Sequence, residues 1–131
     1  MIIKSKTISN GYPEWVLDTA KRTVTNFERD TGKKNVTDFH TDYVKDHLRY
    51  VASKHPERLQ KLVDEGKIIG YLDGLETRAI KAVDRQIEKW KISDKEYQAA
   101  IIAEDTLKAV RLVNCLQSMA REIVYDTIIY A

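Results

Sequence analysis

Basic side chains recur along one stretch of the sequence at the spacing of helical turns. With one tyrosine among them they form the basic row, which consists of Lys67, Tyr71, Arg78, Lys81, Arg85 and Lys89. Like charges four residues apart, as in Lys81 and Arg85, destabilise an isolated helix by about 0.2–0.5 kcal/mol per pair. Phosphates or an acidic partner across the row would relieve that repulsion. The row is therefore a candidate binding surface, and the alternative is an ordinary solvated helix face.

Two histidines and an intervening aspartate form a second candidate, for metal chemistry. His40 and His47 lie seven positions apart with Asp42 between them. Helical metal sites pair histidines on adjacent turns, so this spacing favours boundary histidines over metal ligands. Cys115 has no histidine near it in sequence and is expected to be buried or half-buried. We predict no metal site, and a hydrolase built on these histidines is the weakest hypothesis.

Signatures of known reactions are missing from the sequence. It has no Gly-rich phosphate loop, no His-Glu-x-x-His, no paired cysteines and no nucleophile elbow. We therefore predict a protein that is not an enzyme, with no cofactor and no small-molecule substrate. The formal charge of +2 does not by itself indicate nucleic acid. A single cysteine and the lack of a signal-peptide or membrane-spanning run predict a cytoplasmic protein with no membrane partner.

The elements that would position these residues are predicted to be helices. The chain has 131 residues, of which 43% are hydrophobic and 32% charged, with only five Gly and two Pro. Apolar residues recur at helical spacing from Pro13 onward. This predicts an all-α fold, a single-domain bundle of about five helices over residues 13–131 with a long C-terminal helix. Residues 1–12 are predicted to be an extended or mobile N-terminal segment.

Capping and helix-breaking residues set the predicted helix limits. The predicted helices cover residues 13–31, about 37–55, roughly 56–64, 68–90 and 94–131. Thr37 and Ser93 are the expected N-caps, and Gly66 closes the short third helix. Gly70 and Gly74 interrupt the fourth helix, which indicates either close approach of another helix or a later start.

The last helix is expected to be continuous or merely kinked, in preference to a break near Glu104 and Asp105. An apolar stripe continues along it almost to the terminal residue and includes Ile123 and Ile128. We expect this face to dock into the bundle. A helix of about 54 Å also outruns a small core and meets a second copy, which predicts a homodimer.

Three segments of the sequence carry a family resemblance. They are LRYVASKHPERLQKLVDEGKIIGYLDGLE, SDKEYQAAIIAEDTLKAVRLVN and AREIVYDTIIYA. From about Leu48 onward, over roughly two thirds of its length, the chain resembles the small transposon-encoded proteins of the TnpV type. Family positions are matched by Leu48, Arg49, Tyr50, Gly66, Lys67 and Asn114, whereas Cys115 replaces an Asn and Ala109 stands where the family tends to have Trp. Residues 1–47 have no recognised counterpart.

The resemblance implies a setting, mobile DNA in bacteria, and supplies no catalytic residue or cofactor. The first hypothesis is a non-enzymatic accessory protein of a transposon or phage that binds nucleic acid or a nucleoprotein complex through the basic row. The alternative is a protein-binding inhibitor of a host nucleic-acid enzyme, such as an anti-CRISPR. Small size, near-neutral charge and the lack of catalytic groups fit both hypotheses.

Overall fold

The computed structural model describes residues 1–9 and 11–131, so that Asn10 of the predicted N-terminal segment lies outside the described residues. The strands are β1 Ile2–Lys4, β2 Ile8–Ser9, β3 Tyr12–Pro13, β4 Trp15–Asp18, β5 Thr23–Phe27 and β6 Lys34–Asp38. The helices are α1 Asp42–Lys54, α2 Pro56–Asp64, α3 Ile68–Ser93, α4 Lys95–Ile102 and α5 Thr106–Val124, and a π-helical turn covers Tyr125–Ile129. The all-α prediction is therefore wrong, because the fold is mixed α and β.

An antiparallel sheet replaces the first predicted helix. Its strand order is β1-β4-β5-β6, and a separate two-stranded ribbon pairs β2 with β3. Ile3 pairs with Leu17, and Leu17 pairs with Val24, so three buried side chains form one row across the sheet. Short apolar runs suit a strand as well as a helix, and here cross-strand packing of this row decides between them.

The first compact unit comprises Met1–Glu76 with Tyr130. Its core joins the sheet row to the apolar faces of α1, α2 and the start of α3. The buried members of this core are Ile3, Leu17, Val24, Phe39, Val44, Leu48, Val51, Leu59, Val63, Ile68 and Leu72. The unit is thus a small sheet whose apolar side chains share one core with helices.

Helices α1 and α2 begin and end at recognisable signals. Thr41 is the N-cap of α1, since its side chain accepts a hydrogen bond from the amide of Val44, and the predicted cap Thr37 lies instead in β6. Pro56 occupies the first turn of α2, which covers the predicted Pro56–Asp64. The predicted closure at Gly66 is confirmed, because Gly66 has φ +68° just after the helix.

The second compact unit comprises Thr77–Ile129 with Ala131. It contains the rest of α3, then α4, α5 and the π-helical turn. Its buried side chains are mostly small, namely Ala79, Val83, Ala100, Ala109, Leu116, Ala120, Val124 and Ile129. The predicted single domain over 13–131 stays a prediction, because compact units need not be domains.

The predicted long C-terminal helix is broken. Glu104 has φ +56°, which no α-helix continues, and the carboxylate of Asp105 caps α5 by accepting from the amide of Lys108. Ser93 ends α3, and the N-cap of α4 is Asp94 rather than Ser93. The favoured continuous helix is therefore wrong, and the chain turns at the two acids.

Candidate functional site

Four cations of the basic row lie on the part of α3 that belongs to the second unit. Arg78, Lys81, Arg85 and Lys89 are all exposed. At 3.6 residues per turn they fall within an arc of about 80° around the helix axis. Within the described residues, no carboxylate lies within salt-bridge distance of Lys81, Arg85 or Lys89. The charges of Lys81, Arg85 and Lys89 are consequently available to an anionic partner.

The remaining two members of the row, Lys67 and Tyr71, belong to the first unit and have partners of their own. The Lys67 ammonium lies 3.4 Å from a carboxylate oxygen of Glu65. The Tyr71 hydroxyl lies 2.6 Å from Nε2 of His47 and accepts from the guanidinium of Arg58 at 3.5 Å. Tyr71 is half-buried, so its side chain contributes to the interior of the first unit more than to an exposed surface.

The acids of α3 flank the cations of the second unit. Asp84 and Glu88 are exposed on the same helix, and Glu88 forms an i,i+3 ion pair with Lys91 at 3.6 Å. Glu88 therefore has a cation partner outside the basic row, although this exposed ion pair is expected to be weak. The face thus carries four cations beside the exposed carboxylate of Asp84.

A basic cleft in the first unit was not apparent from the sequence. It has a volume of about 520 Å³ and lies between the β4–β5 turn and one face of α1. Its lining residues are Thr19, Ala20, Arg22, Lys45, Arg49, Ala52 and Ser53. The only signal in the sequence is the spacing of Lys45, Arg49 and Ser53, which shows that they share one helix face.

An apolar groove lies between α4 and α5 in the second unit. It has a volume of about 600 Å³ and is lined by Tyr97, Ala100, Ile101, Glu104, Asp105, Thr106, Ala109, Val110, Val113 and Asn114. Exposed apolar residues follow two of its lining residues in sequence, since Ile102 after Ile101 is 83% exposed and Leu107 after Thr106 is 64% exposed. Isolated exposed apolar residues are ordinary, but a group of them beside a groove is typical of a binding surface.

The two histidines of the candidate metal site differ in burial. His47 is only 1% exposed, whereas His40 and Asp42 are exposed. The described part of the chain contains no group of three or more His, Cys, Asp or Glu side chains that could hold a metal ion. Cys115 is exposed, so the expectation that it is buried or half-buried is wrong.

One comparison with known proteins identifies the chain. The family described as transposon-encoded protein TnpV matches residues 20–129. The chain belongs to this family. No curated protein and no solved structure matches it.

The TnpV family matches the chain from residue 20, whereas the resemblance noted in the sequence begins at about Leu48. Residues 20–47, which had no recognised counterpart, are included, so the family region contains β5, β6 and the start of α1. Of the TnpV positions matched in sequence, Leu48 is in the core, Tyr50 is half-buried, and Arg49 is exposed in the basic cleft. None of the helices among the described residues has the length and apolar character needed to cross a membrane.

Proposed function

We propose that the protein is a non-enzymatic accessory protein of a mobile genetic element that binds the backbone of nucleic acid. The transposon-encoded family supports the setting. The observation that carries the proposal is the exposed arc of Arg78, Lys81, Arg85 and Lys89 on one helix, three of which have no carboxylate partner in the described chain. The cost of aligning like charges is recovered when phosphates lie across them.

The dimensions of the arc suit a nucleic-acid backbone. From Arg78 to Lys89 the helix rises by roughly 16 Å, which corresponds to about five base pairs along duplex DNA. Contacts from one helix face to phosphates carry no base-edge readout, so binding is expected to be weakly dependent on base sequence. Such contacts release counterions, which makes the affinity fall steeply as salt rises.

The direct test is fluorescence anisotropy of a labelled duplex of about 20 base pairs across a salt series. The triple variant R78A/K81A/R85A is expected to bind at least about tenfold more weakly and to lower the salt slope by about two to three. A control triple, K95A/K108A/R111A, removes the same charge from exposed positions on α4 and α5. Equal losses in the two triples, or no binding by the unsubstituted protein at low salt, would contradict the proposal.

The second candidate is a protein-binding inhibitor of a host nucleic-acid enzyme, for instance an anti-CRISPR. The apolar groove between α4 and α5 favours it, because Ile102 and Leu107 expose apolar area beside a concave surface. A second copy of the chain would cover the same surface in the predicted homodimer. The two occupants differ in whether the purified protein is already a dimer.

Two matched variants separate these occupants. I102K/L107K places charges beside the groove, and A99K/Q117K adds the same charge at other exposed positions of α4 and α5. An inhibitor is supported if a host nuclease is captured and inhibited by the unsubstituted protein and by A99K/Q117K but not by I102K/L107K. Sedimentation showing a dimer that only I102K/L107K dissociates would assign the groove to the homodimer instead.

A further inference from the structure

The basic cleft of the first unit brings together cations from two elements that are distant in sequence. Arg22 ends the β4–β5 turn, while Lys45 and Arg49 lie one turn apart on α1. Arg22 is half-buried, which restricts its side chain, and both α1 cations are exposed. Three basic residues thus line one concave surface.

The electrostatics of the cleft favour an anion. Among the described residues that line it, none carries a carboxylate, and the hydroxyls of Thr19 and Ser53 add neutral hydrogen-bonding groups. The nearest acid of the turn, Asp18, directs its carboxylate at the amides of Ala20 and Lys21, each at 3.1 Å. Asp42 lies one turn before Lys45 at the start of α1 and does not line the cleft.

Ion pairs do not account for these three cations. No carboxylate of the described chain lies within salt-bridge distance of Arg22, Lys45 or Arg49. Lys45 and Arg49 are also like charges at i and i+4, an arrangement that destabilises an isolated helix. A dianionic group between the two elements would remove that repulsion and satisfy the guanidinium donors.

The backbone at Arg22 supports the same interpretation. Arg22 has φ +58°, a left-handed conformation that glycine adopts more easily than any residue with a Cβ. Its carbonyl accepts a hydrogen bond from the amide of Phe39 at 2.9 Å, which fixes the end of the turn against the segment before α1. The turn therefore holds an arginine where glycine would be less strained, and this arginine is one of the residues that line the cleft.

We propose that this cleft binds a phosphate group of a nucleotide or of a nucleic-acid strand. Arg22 and Arg49 present planar guanidinium groups that match phosphate oxygens, and Lys45 adds a point charge. The volume of about 520 Å³ accommodates more than the phosphate itself. The site is distinct from the arc on α3, because all its residues belong to the first unit.

The test is an NMR titration of the full chain that follows the amides of Thr19, Arg22 and Ser53. The three probes are inorganic phosphate, a 5′-mononucleotide and a single-stranded oligonucleotide, each compared with chloride at equal ionic strength. Saturable shifts at these amides are expected with phosphate in the millimolar range and with the larger probes at lower concentration. The order of the three affinities distinguishes a nucleotide ligand from a strand.

Substitutions decide whether the cations of the cleft are responsible. R22Q/R49Q is expected to weaken phosphate binding by at least about tenfold, whereas K34Q/K61Q, which removes two exposed charges elsewhere in the unit, changes it less than about twofold. R22G removes the side chain and relaxes the left-handed backbone, so it should lose binding while unfolding at an unchanged or higher temperature. That variant keeps loss of binding separate from loss of folding.

Two outcomes overturn the inference. One is the absence of saturable shifts beyond those produced by chloride, and the other is unchanged binding in both R22Q/R49Q and R22G. The inference is also independent of the function proposed for α3. If the duplex fails to bind but phosphate binds in the cleft, the proposed function fails and the inference about the cleft stands. If the duplex binds and only R78A/K81A/R85A weakens it, while phosphate does not bind in the cleft, the proposed function stands and the inference about the cleft fails.

Discussion

The indole of Trp15 packs so closely against Gly66 that a Cβ atom at residue 66 would lie 2.9 Å from its Nε1. Gly66 ends α2 with φ +68°, and the amide of Lys67 reaches back to the carbonyl of Leu62 at 2.9 Å. This is the hydrogen bond of a Schellman motif. One glycine therefore both ends a helix and lets β4 approach it.

Gly66→Ala is expected to destabilise the protein by about 1–3 kcal/mol, because a Cβ adds left-handed strain and displaces the Trp15 ring. Gly70→Ala is the matched control. In the described part of the chain, a Cβ at Gly70 would meet no atom within 4 Å outside the backbone of α3 and the adjacent residues, and alanine should stabilise the helix by about 0.5–1 kcal/mol. Chemical denaturation measures both, and equal effects of the two substitutions would contradict this account.

Gly70 and Gly74 were predicted to mark either close approach of another helix or a later start of the fourth helix, and the structure supports neither. Among the described residues, no atom outside the backbone of α3 and the adjacent residues lies within 4 Å of a Cβ at either position, so the prediction that another helix packs closely there is wrong. The later helix start is wrong as well, because α3 begins at Ile68. Glycine spacing by itself did not distinguish a contact from an open surface.

The sequence predicted those elements whose limits are marked by residues with strong local preferences. Pro56 and Gly66 delimit α2 correctly. The β4–β5 turn was not predicted, and the break before α5 was only the less favoured alternative, because the left-handed residues there are Arg22 and Glu104. Neither is a residue type that predicts a left-handed turn, so apolar spacing was extended through both positions as helix.

The arc of cations on α3 and the basic cleft differ in how far each could be predicted from the sequence. The cations on α3 share one helix and could be read from their spacing. The basic cleft requires Arg22 of the turn to meet Lys45 and Arg49 of α1. Arg22 lies near α1 only because the sheet forms, and the sequence pattern did not predict the sheet.

Glu28 makes the end of the β5–β6 hairpin sensitive to acid. Its carboxylate accepts hydrogen bonds from the Thr31 hydroxyl at 2.8 Å and from the Asn35 amide at 2.9 Å. These bonds, with the charge of Lys33, lower the pKa of Glu28 below its usual 4.5. Because the folded-state pKa is the lower one, the stabilisation is complete above the unfolded pKa and is lost as pH falls through the folded value.

The check is the titration of the Glu28 carboxyl carbon by NMR. In the unsubstituted chain the midpoint is expected below 4.5, and T31A/N35A should move it upward toward that value. Thr19→Ala is the control, since its hydroxyl donates a hydrogen bond to the carbonyl of Met1, next to β1 and β4 and away from Glu28. A midpoint at or above the usual value in the unsubstituted chain would rule out the stabilising role of these hydrogen bonds.

The π-helical turn decides which C-terminal isoleucine is buried. Ala120 and Val124 are buried four residues apart, and the next buried residue is Ile129, five residues on. The wider π-helical step moves Ile129 onto this face in place of Ile128, and Ile123 is 46% exposed. Of the two isoleucines expected on the docking face, Ile123 is therefore exposed and Ile128 is only half-buried.

Ile129→Ala should accordingly destabilise the protein by about 2–4 kcal/mol, since it opens a cavity where the side chain is fully buried. Ile128→Ala removes the same atoms from a half-buried position and is expected to cost clearly less. Thermal and denaturant unfolding of the two variants measure the difference. A larger loss for Ile128→Ala would indicate that regular α-helical spacing continues to the end of the chain.

Tyr71 tests whether the basic row acts as a whole. Its hydroxyl lies 2.6 Å from Nε2 of the buried His47, so Tyr71→Phe leaves that nitrogen without this partner and should cost about 1–3 kcal/mol. Tyr97→Phe, at a half-buried position of the second unit, is the control and should cost less.

Nucleic-acid affinity, measured by the same duplex anisotropy, should stay within about twofold for Tyr71→Phe, because that hydroxyl adds no charge to the exposed arc of α3. If Tyr71→Phe instead weakened the duplex complex as much as R78A/K81A/R85A while leaving stability unchanged, Tyr71 would contact the ligand. The hydrogen bond to His47 would then be broken in the complex, and the binding surface would extend into the first unit.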